Sequence, residues 1–293
     1  MNTQMMILPL CFAIGCVAGS GNPKTELRSV GSFTRVLTTD MVDVDIVQDV
    51  DFDGLEVTCD DNLLDILKTD VRGGELHVHF PSGPGVAPRA ECVVVTGNMN
   101  VTELVSTGSG DVYVSGPAWG LSTVRTTGSG DVDIRFKAGE PGGDSLVDDS
   151  AGTGLVDSED SDDEGFVEDA SDEVALESDG TGQLDVTSTG SGDVHITGLD
   201  LTVVTLRTTG SGDMKLAGEA NRLDATSTGS GDVHARGLSA NVVDLRTTGS
   251  GDMTAKAHTK ATVRSTGSGD VTVYGNPDKR NKSASGSGDI RFR

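Results

Sequence analysis

The tetrapeptide Gly-Ser-Gly-Asp occurs eight times, beginning at Gly108, Gly128, Gly190, Gly210, Gly229, Gly249, Gly267 and Gly286. The copies end at Asp111, Asp131, Asp193, Asp213, Asp232, Asp252, Asp270 and Asp289. Successive copies are 20, 62, 20, 19, 20, 18 and 19 residues apart. A motif recurring near every 20 residues is the mark of a chain built by stacking one small unit, which cannot bury its apolar face alone.

Aligned on the motif, the units show which positions face inwards. The residue after each Asp is apolar in every copy, from Val112 to Ile290, and so is the residue two places further on, from Val114 to Phe292. The position between them varies freely: Tyr113, Asp133, His195, Lys215, His234, Thr254, Thr272 and Arg291. Strict alternation of this kind describes a strand with one buried face. Four residues before the first Gly stands a second apolar column, Leu104, Val124, Val186, Leu206, Ala225, Leu245 and Val263, broken only by Lys282. Each unit is therefore expected to run as strand, tight Gly turn, strand and variable turn. Stacked as parallel strands about 4.8 Å apart, the units would form an all-β, right-handed parallel β-helix or β-solenoid of roughly 20-residue coils. The glycines are expected to supply permissive backbone angles and to leave out a Cβ for which there is no room. The Asp is expected to accept backbone N–H groups at the turn. Arg125, Arg207, Arg246 and Arg264, each three residues before a tetrapeptide, would offer the Asp ladder a counter-charge.

The one long interval coincides with a change in composition. Between Ala138 and Gly182 there are sixteen Asp and Glu and no Lys or Arg, which supplies most of the net charge of −24. Such a segment repels itself and reads as a disordered acidic insertion able to collect divalent cations loosely. The overall acidity excludes nucleic acid as a partner, since phosphate recognition needs a basic stripe. Only 3% aromatic residues and 40 glycines point away from a wide enzyme interior and towards a thin core.

Met5 to Val17 is a short apolar run, too short to span a bilayer, and reads as a signal peptide. Its end, Ala13-Ile14-Gly15-Cys16, looks like the lipobox of bacterial lipoproteins, so Cys16 is the expected lipidation site; ordinary cleavage near Ala18 and an unprocessed tail are the alternatives. The expected location is extracytoplasmic, in the bacterial outer membrane or periplasm, with a lipid anchor in the membrane. Cys11 would leave with the signal, and Cys59 and Cys92 then form an even pair in an oxidising compartment. They are expected to be either disulfide-bonded or two buried thiols. Val30 to Val101 lacks the tetrapeptide but alternates at Phe33–Leu37, Val42–Gln48, Leu55–Cys59, Glu75–Phe80 and Cys92–Thr96, between turns such as Asp53-Gly54 and Gly73-Gly74. The resulting division is a signal peptide over 1–16, a linker over 17–30, an N-terminal β cap over 31–100, two repeats over 101–136, the acidic insertion over 137–183 and six repeats over 184–293.

Gly31-Ser32-Phe33, Val42-Asp43-Val44, Asp61-Asn62-Leu63-Leu64-Asp65 and Gly74-Glu75-Leu76-His77-Val78, followed in order by the Gly-Ser-Gly-Asp units, resemble the auto-transporter adhesin head GIN domain family. The resemblance implies a fold similar to pectin-lyase-type parallel β-helices and a role in adhesion or surface architecture, without catalysis. A glycan or protein surface ligand is the expected partner. The acidic insertion departs from the family pattern.

The same residues suggest other chemistry. A carbohydrate-active enzyme would need clustered carboxylates and a base, for which Asp133, Lys215 and Arg236 are the candidates, but each position changes type from unit to unit. A calcium-responsive structural protein is the stronger alternative, although the nonapeptide calcium roll reads Gly-Gly-x-Gly-x-Asp and has a second Gly turn absent here. His195 and His234 fall about 9.6 Å apart in a stack, too far to share a metal, and His77 with His79 lacks a third ligand. An ice-binding face from Thr127, Thr209 and Thr248 is explained equally by turn chemistry. No cofactor, metal or catalytic residue is expected.

Overall fold

A computed structural model describes residues 16–47, 54–83, 85–98, 100–117, 120–137 and 182–293. The segment before Cys16, where a signal peptide is expected, and the acidic insertion therefore lie outside the described residues. The N-terminal part contains β1 (Val17–Ala18), β2 (Pro23–Arg28), β3 (Arg35–Thr38), β4 (Asp43–Val47), β5 (Leu55–Asp60), β6 (Lys68–Arg72), β7 (Glu75–His79), β8 (Val86–Ala87) and β9 (Val93–Thr96). The repeats contribute β10 (Glu103–Ser106), β11 (Val112–Pro117), β12 (Thr123–Thr126), β13 (Val132–Lys137), β14 (Gln183–Ser188), β15 (Val194–Thr208), β16 (Met214–Ser227), β17 (Val233–Thr247), β18 (Met253–Ser265), β19 (Val271–Tyr274), β20 (Lys279–Ala284) and β21 (Ile290–Phe292).

The repeats stack as a β-solenoid with equivalent residues in register. Leu104 pairs with Val124, Val124 with Val186, and Val186 with Leu206, and the column continues through Ala225, Leu245 and Val263 to Lys282. On the far side of the Gly turn, Val112, Val132, Val194, Met214, Val233, Met253, Val271 and Ile290 form a second parallel column. All of these side chains are buried except in the last coil. The pairing passes directly from β12 to β14 and from β13 to β15, so the coils on either side of the insertion are neighbours.

The variable turn expected at the end of each unit is continuous strand in β15 to β18, which run 13 to 15 residues around the bend. Differences in coil length are absorbed there, where the register slips between Ile196 and Leu199, Lys215 and Ala217, and Ala235 and Ser239. Gly198, Gly218 and Gly275 take φ of 72°, 131° and 92° in this return region, angles that a side chain strains.

The tetrapeptide glycines are different, and here the expectation needs correction. None has φ in the left-handed region. Their role is close approach alone: a Cβ on Gly210 would fall 1.8 Å from the Gly190 carbonyl oxygen, and one on Gly212 2.0 Å from that of Gly192. Each turn rests on the backbone of the turn before it.

That rule explains a coil without the tetrapeptide. β3 and β4 pair in parallel with β10 and β11, and the residues joining them, Thr39-Asp40-Met41-Val42-Asp43, occupy the place of Thr107-Gly108-Ser109-Gly110-Asp111. Ser109 donates its N–H to the Asp40 carbonyl, as Ser129 does to that of Gly108. Beneath β3 and β4 lie β7 and β9, but the chain between those two makes a long excursion instead of a stacked Gly turn. With no turn directly below, Asp40 and Val42 keep their side chains.

The remaining N-terminal strands close this end. β5 pairs antiparallel with β9, β2 with β5, and β6 with β7. Residues 17–30, expected as a linker, thus contribute β1 and β2 to the fold, and Lys68–Arg72 is a strand the alternation did not reveal. Cys59 and Cys92 are joined in a disulfide inside this cap. Beside it the buried Asp60 carboxylate accepts the N–H groups of Gly21, Arg89 and Ala90 at 2.5, 2.8 and 3.1 Å. Burial alone would raise its pKa, but these bonds and the Arg89 charge outweigh that and hold it below the usual carboxylate value.

Candidate functional site

Two parallel features run along the Gly-turn edge of the solenoid. The first is a shallow open trough. Its walls are the exposed Thr and Ser residues flanking the first Gly of each turn, and the glycines form its floor. One stretch, of about 820 Å³, runs from Asp40 and Met41 past Thr107, Gly108 and Ser109 to Ser211. A second, of about 640 Å³, continues from Thr209, Gly210 and Ser211 to Gly286 and Ser287. Eight tetrapeptides at 4.8 Å per rung give a length of about 34 Å. Thr127, Thr209 and Thr248 all line it.

The second feature is an aspartate ladder. Each turn Asp offers Oδ1 to the backbone N–H of the Asp in the following coil: Asp111 to Asp131 at 2.8 Å, Asp193 to Asp213 at 2.8 Å and Asp252 to Asp270 at 2.7 Å, with the other rungs alike. Asp43 is the first rung, accepting from Asp111 at 2.7 Å. The acceptor expected at the turn therefore serves the neighbouring coil. The expected arginine counter-charge lies elsewhere too: Arg125 pairs with Glu103, and Arg246 and Arg264 with Asp244. Backbone N–H groups carry the compensation instead. Among the described residues an arginine joins at the last rungs, where Arg291 binds both Asp270 and Asp289 at 2.7 and 2.6 Å. The Asp289 N–H and then Arg291 lower the pKa of Asp270.

At the opposite end the ladder opens into an acidic cleft of about 460 Å³, lined by Asp43, Asp45, Glu91, Asp111, Tyr113, Asp131 and Asp133 among others. Burial, the Glu91 carboxyl and the Asp111 charge raise Asp43 to about 6, against the N–H bond from Asp111. Burial and Glu91 also raise Asp45. Arg135 at the rim is engaged with Asp133 at 2.6 Å and lies over the Tyr113 ring.

The enzyme candidates are not brought together. Asp133 binds Arg135, Lys215 sits two coils away in the same column, and Arg236 stacks on Tyr274 at 4.3 Å. His77 contacts Glu75 at 2.9 Å. Cys16 is half-buried, directly before β1.

Inside the coil, a column that the periodicity did not single out alternates Ser and Thr: Thr38, Ser106, Thr126, Ser188, Thr208, Ser227, Thr247 and Ser265, all buried. From Ser106 onwards these hydroxyls have no hydrogen-bond partner among the described residues.

Several solved structures share this architecture. A "putative adhesin" from Bacteroides fragilis NCTC 9343 is 20% identical, with 94% of this chain and 100% of that chain covered at a TM-score of 0.60. A "putative adhesin" from Parabacteroides merdae ATCC 43184 is 17% identical, covering 95% and 99% at 0.69. A "Putative lipid binding protein" from Parabacteroides distasonis ATCC 8503 is 20% identical, covering 94% and 99% at 0.66. At such identities the likeness establishes the fold. No curated protein matches the chain. The family model described as "Putative auto-transporter adhesin, head GIN domain" matches residues 32–141 and 169–277. Those two spans take in most of the chain, from the glycine-free first coil through the repeats to the seventh tetrapeptide, and the chain belongs to that family.

Proposed function

We propose that this protein is a non-enzymatic, extracytoplasmic adhesion module that holds a polyhydroxylated chain, such as an envelope or host glycan, lengthwise in the Thr–Gly–Ser trough. The observation that carries this reading is the unbroken trough from Asp40 to Ser287, with one Thr and one Ser hydroxyl offered at most rungs. A hydroxyl both donates and accepts, so it complements sugar hydroxyls in either sense. One rung binds weakly. Many in register act as linked contacts, whose combined affinity grows with the number engaged. Apart from Met41 at one end the trough is polar, while the apolar columns of the repeats are sealed within the coils, which favours a sugar over a lipid chain. The family and its neighbours carry names of adhesion or lipid binding, in keeping with a surface role. A lipid on Cys16 would tether the module at its N-terminal end and leave the trough free, and the acidic insertion would add loose capacity for divalent cations.

The test is a glycan and envelope-fraction binding survey with the chain from Cys16 onwards. It is repeated with Ser211→Arg and Ser250→Arg, which place long side chains across the trough at exposed positions. Loss of binding with unchanged circular dichroism supports the trough. Undiminished binding by the double variant refutes it.

A further inference from the structure

We propose that Asp213, Asp232 and His234 form a three-donor site for a divalent transition metal of the zinc class. Donor atoms of these residues lie within 4.8 Å of one another, drawn from two successive coils. The ladder holds the carboxylates in place. Asp213 Oδ1 accepts the Asp232 N–H at 2.8 Å, and Asp232 Oδ1 accepts the Asp252 N–H at 2.7 Å. Each carboxylate is thereby anchored through Oδ1, with Oδ2 left over and able to turn towards an ion. His234 follows Asp232 by two residues and shares its outward face. Its Nε2 is 3.9 Å from Asp232 Oδ2. Donors this far apart close on one ion with bonds of about 2.0–2.2 Å after small side-chain rotations.

The donor set selects the metal. One imidazole with two carboxylates suits zinc, cobalt or nickel, whereas calcium takes about six to eight oxygens. Three protein donors also leave a coordination position for water or an external donor.

The site is particular to this rung. The position of His234 is held by Tyr113, Asp133, Lys215, Thr254, Thr272 and Arg291 in other coils. His195, the other imidazole of the column, turns Nδ1 towards Asp133, its cross-strand neighbour, at 4.0 Å. Periodicity sets the two histidines too far apart to share an ion, but the missing donors are turn aspartates. Lys215 is the cross-strand neighbour of His234 and opposes a cation there, so Lys215→Ala should tighten binding.

The experiment is a zinc titration of the full chain, followed by the imidazole ¹⁵N resonances. Carboxylates elsewhere, including those of the insertion, bind cations without moving a histidine signal. The expected result is a shift of His234 Nε2 by equimolar zinc, with the other histidines unmoved and no response to equal calcium. Asp213→Asn and Asp232→Asn keep an oxygen for the ladder N–H and should each abolish the shift at that concentration. An unmoved His234, or a shift indifferent to both substitutions, overturns the proposal.

Discussion

Replacing Gly229 by Ala tests the stacking rule most directly, because two physical arguments give opposite signs. If this Gly served only the backbone, Ala would stabilise the protein by about 0.4–1 kcal/mol by restricting the unfolded chain. The stacked geometry says otherwise. A Cβ there would lie 1.9 Å from the Gly210 carbonyl oxygen, against an ordinary contact beginning near 3.4 Å. The obstacle is backbone, so no rotamer change relieves it. Opening the rung by more than 1 Å, roughly the whole overlap, would forfeit attractive contacts on both faces. It would also break the Ser230 N–H bond to Gly210, at 3.1 Å, and the Asp232 N–H bond to the Asp213 carboxylate, at 2.8 Å. The first contributes about 1 kcal/mol and the second, to a charged acceptor, about 1.5–3 kcal/mol, giving a loss of about 2.5–4 kcal/mol. Urea denaturation followed by circular dichroism should show the lower midpoint. Hydrogen exchange should place the lost protection at residues 228–233, because stacked coils respond locally. Ser230→Ala, which removes an exposed hydroxyl from the same turn, should stay within about 0.5 kcal/mol of the parent. A Gly229→Ala protein as stable as the parent would refute the close-approach reading.

Three further outcomes follow from buried and half-buried polar groups. Asp43, raised to about 6, favours the folded state when protonated, so its contribution is full below about pH 4 and is lost as pH rises through 6; Asp43→Asn should stabilise by about 1 kcal/mol at pH 7.5, after allowance for solvent screening, and by nothing at pH 3.5 in paired thermal melts. Asp60 has the opposite sign: its lowered pKa gives stability above about pH 4 that is lost on acidification. Asp60→Asn, which turns an amide NH₂ towards N–H donors, should lower stability by about 3 kcal/mol at pH 7, read from urea midpoints. Thr208→Val removes a buried hydroxyl without a partner and should raise stability by about 1 kcal/mol; a loss of that size would show the hydroxyl to be satisfied.

Much of the architecture was legible because its causes are local or periodic. Alternation after each Asp identifies a half-buried strand within four residues, and the recurrence of Gly210 at Gly229 and Gly249 requires stacking whatever the rest of the chain does. The trough follows from the same spacing. The antiparallel cap was less legible: Lys68–Arg72 has no alternating apolar face, and its strand exists because Thr69 and Val71 find Val78 and Leu76 opposite. Asp60 reads as an ordinary polar residue until the fold brings Gly21, Arg89 and Ala90 around it.

The sequence by itself determined the coil length, the inward columns and the places where a side chain is forbidden between stacked turns. Tertiary structure alone decided that Thr39–Asp43 is a coil without glycine, that the aspartates bind across coils, and that Asp213 meets His234. The physical reason is common to all three: whether a Cβ fits, or a carboxylate finds its donor, depends on what lies one layer away, and that neighbour is about 20 residues distant in the repeats and 68 residues distant between Asp43 and Asp111.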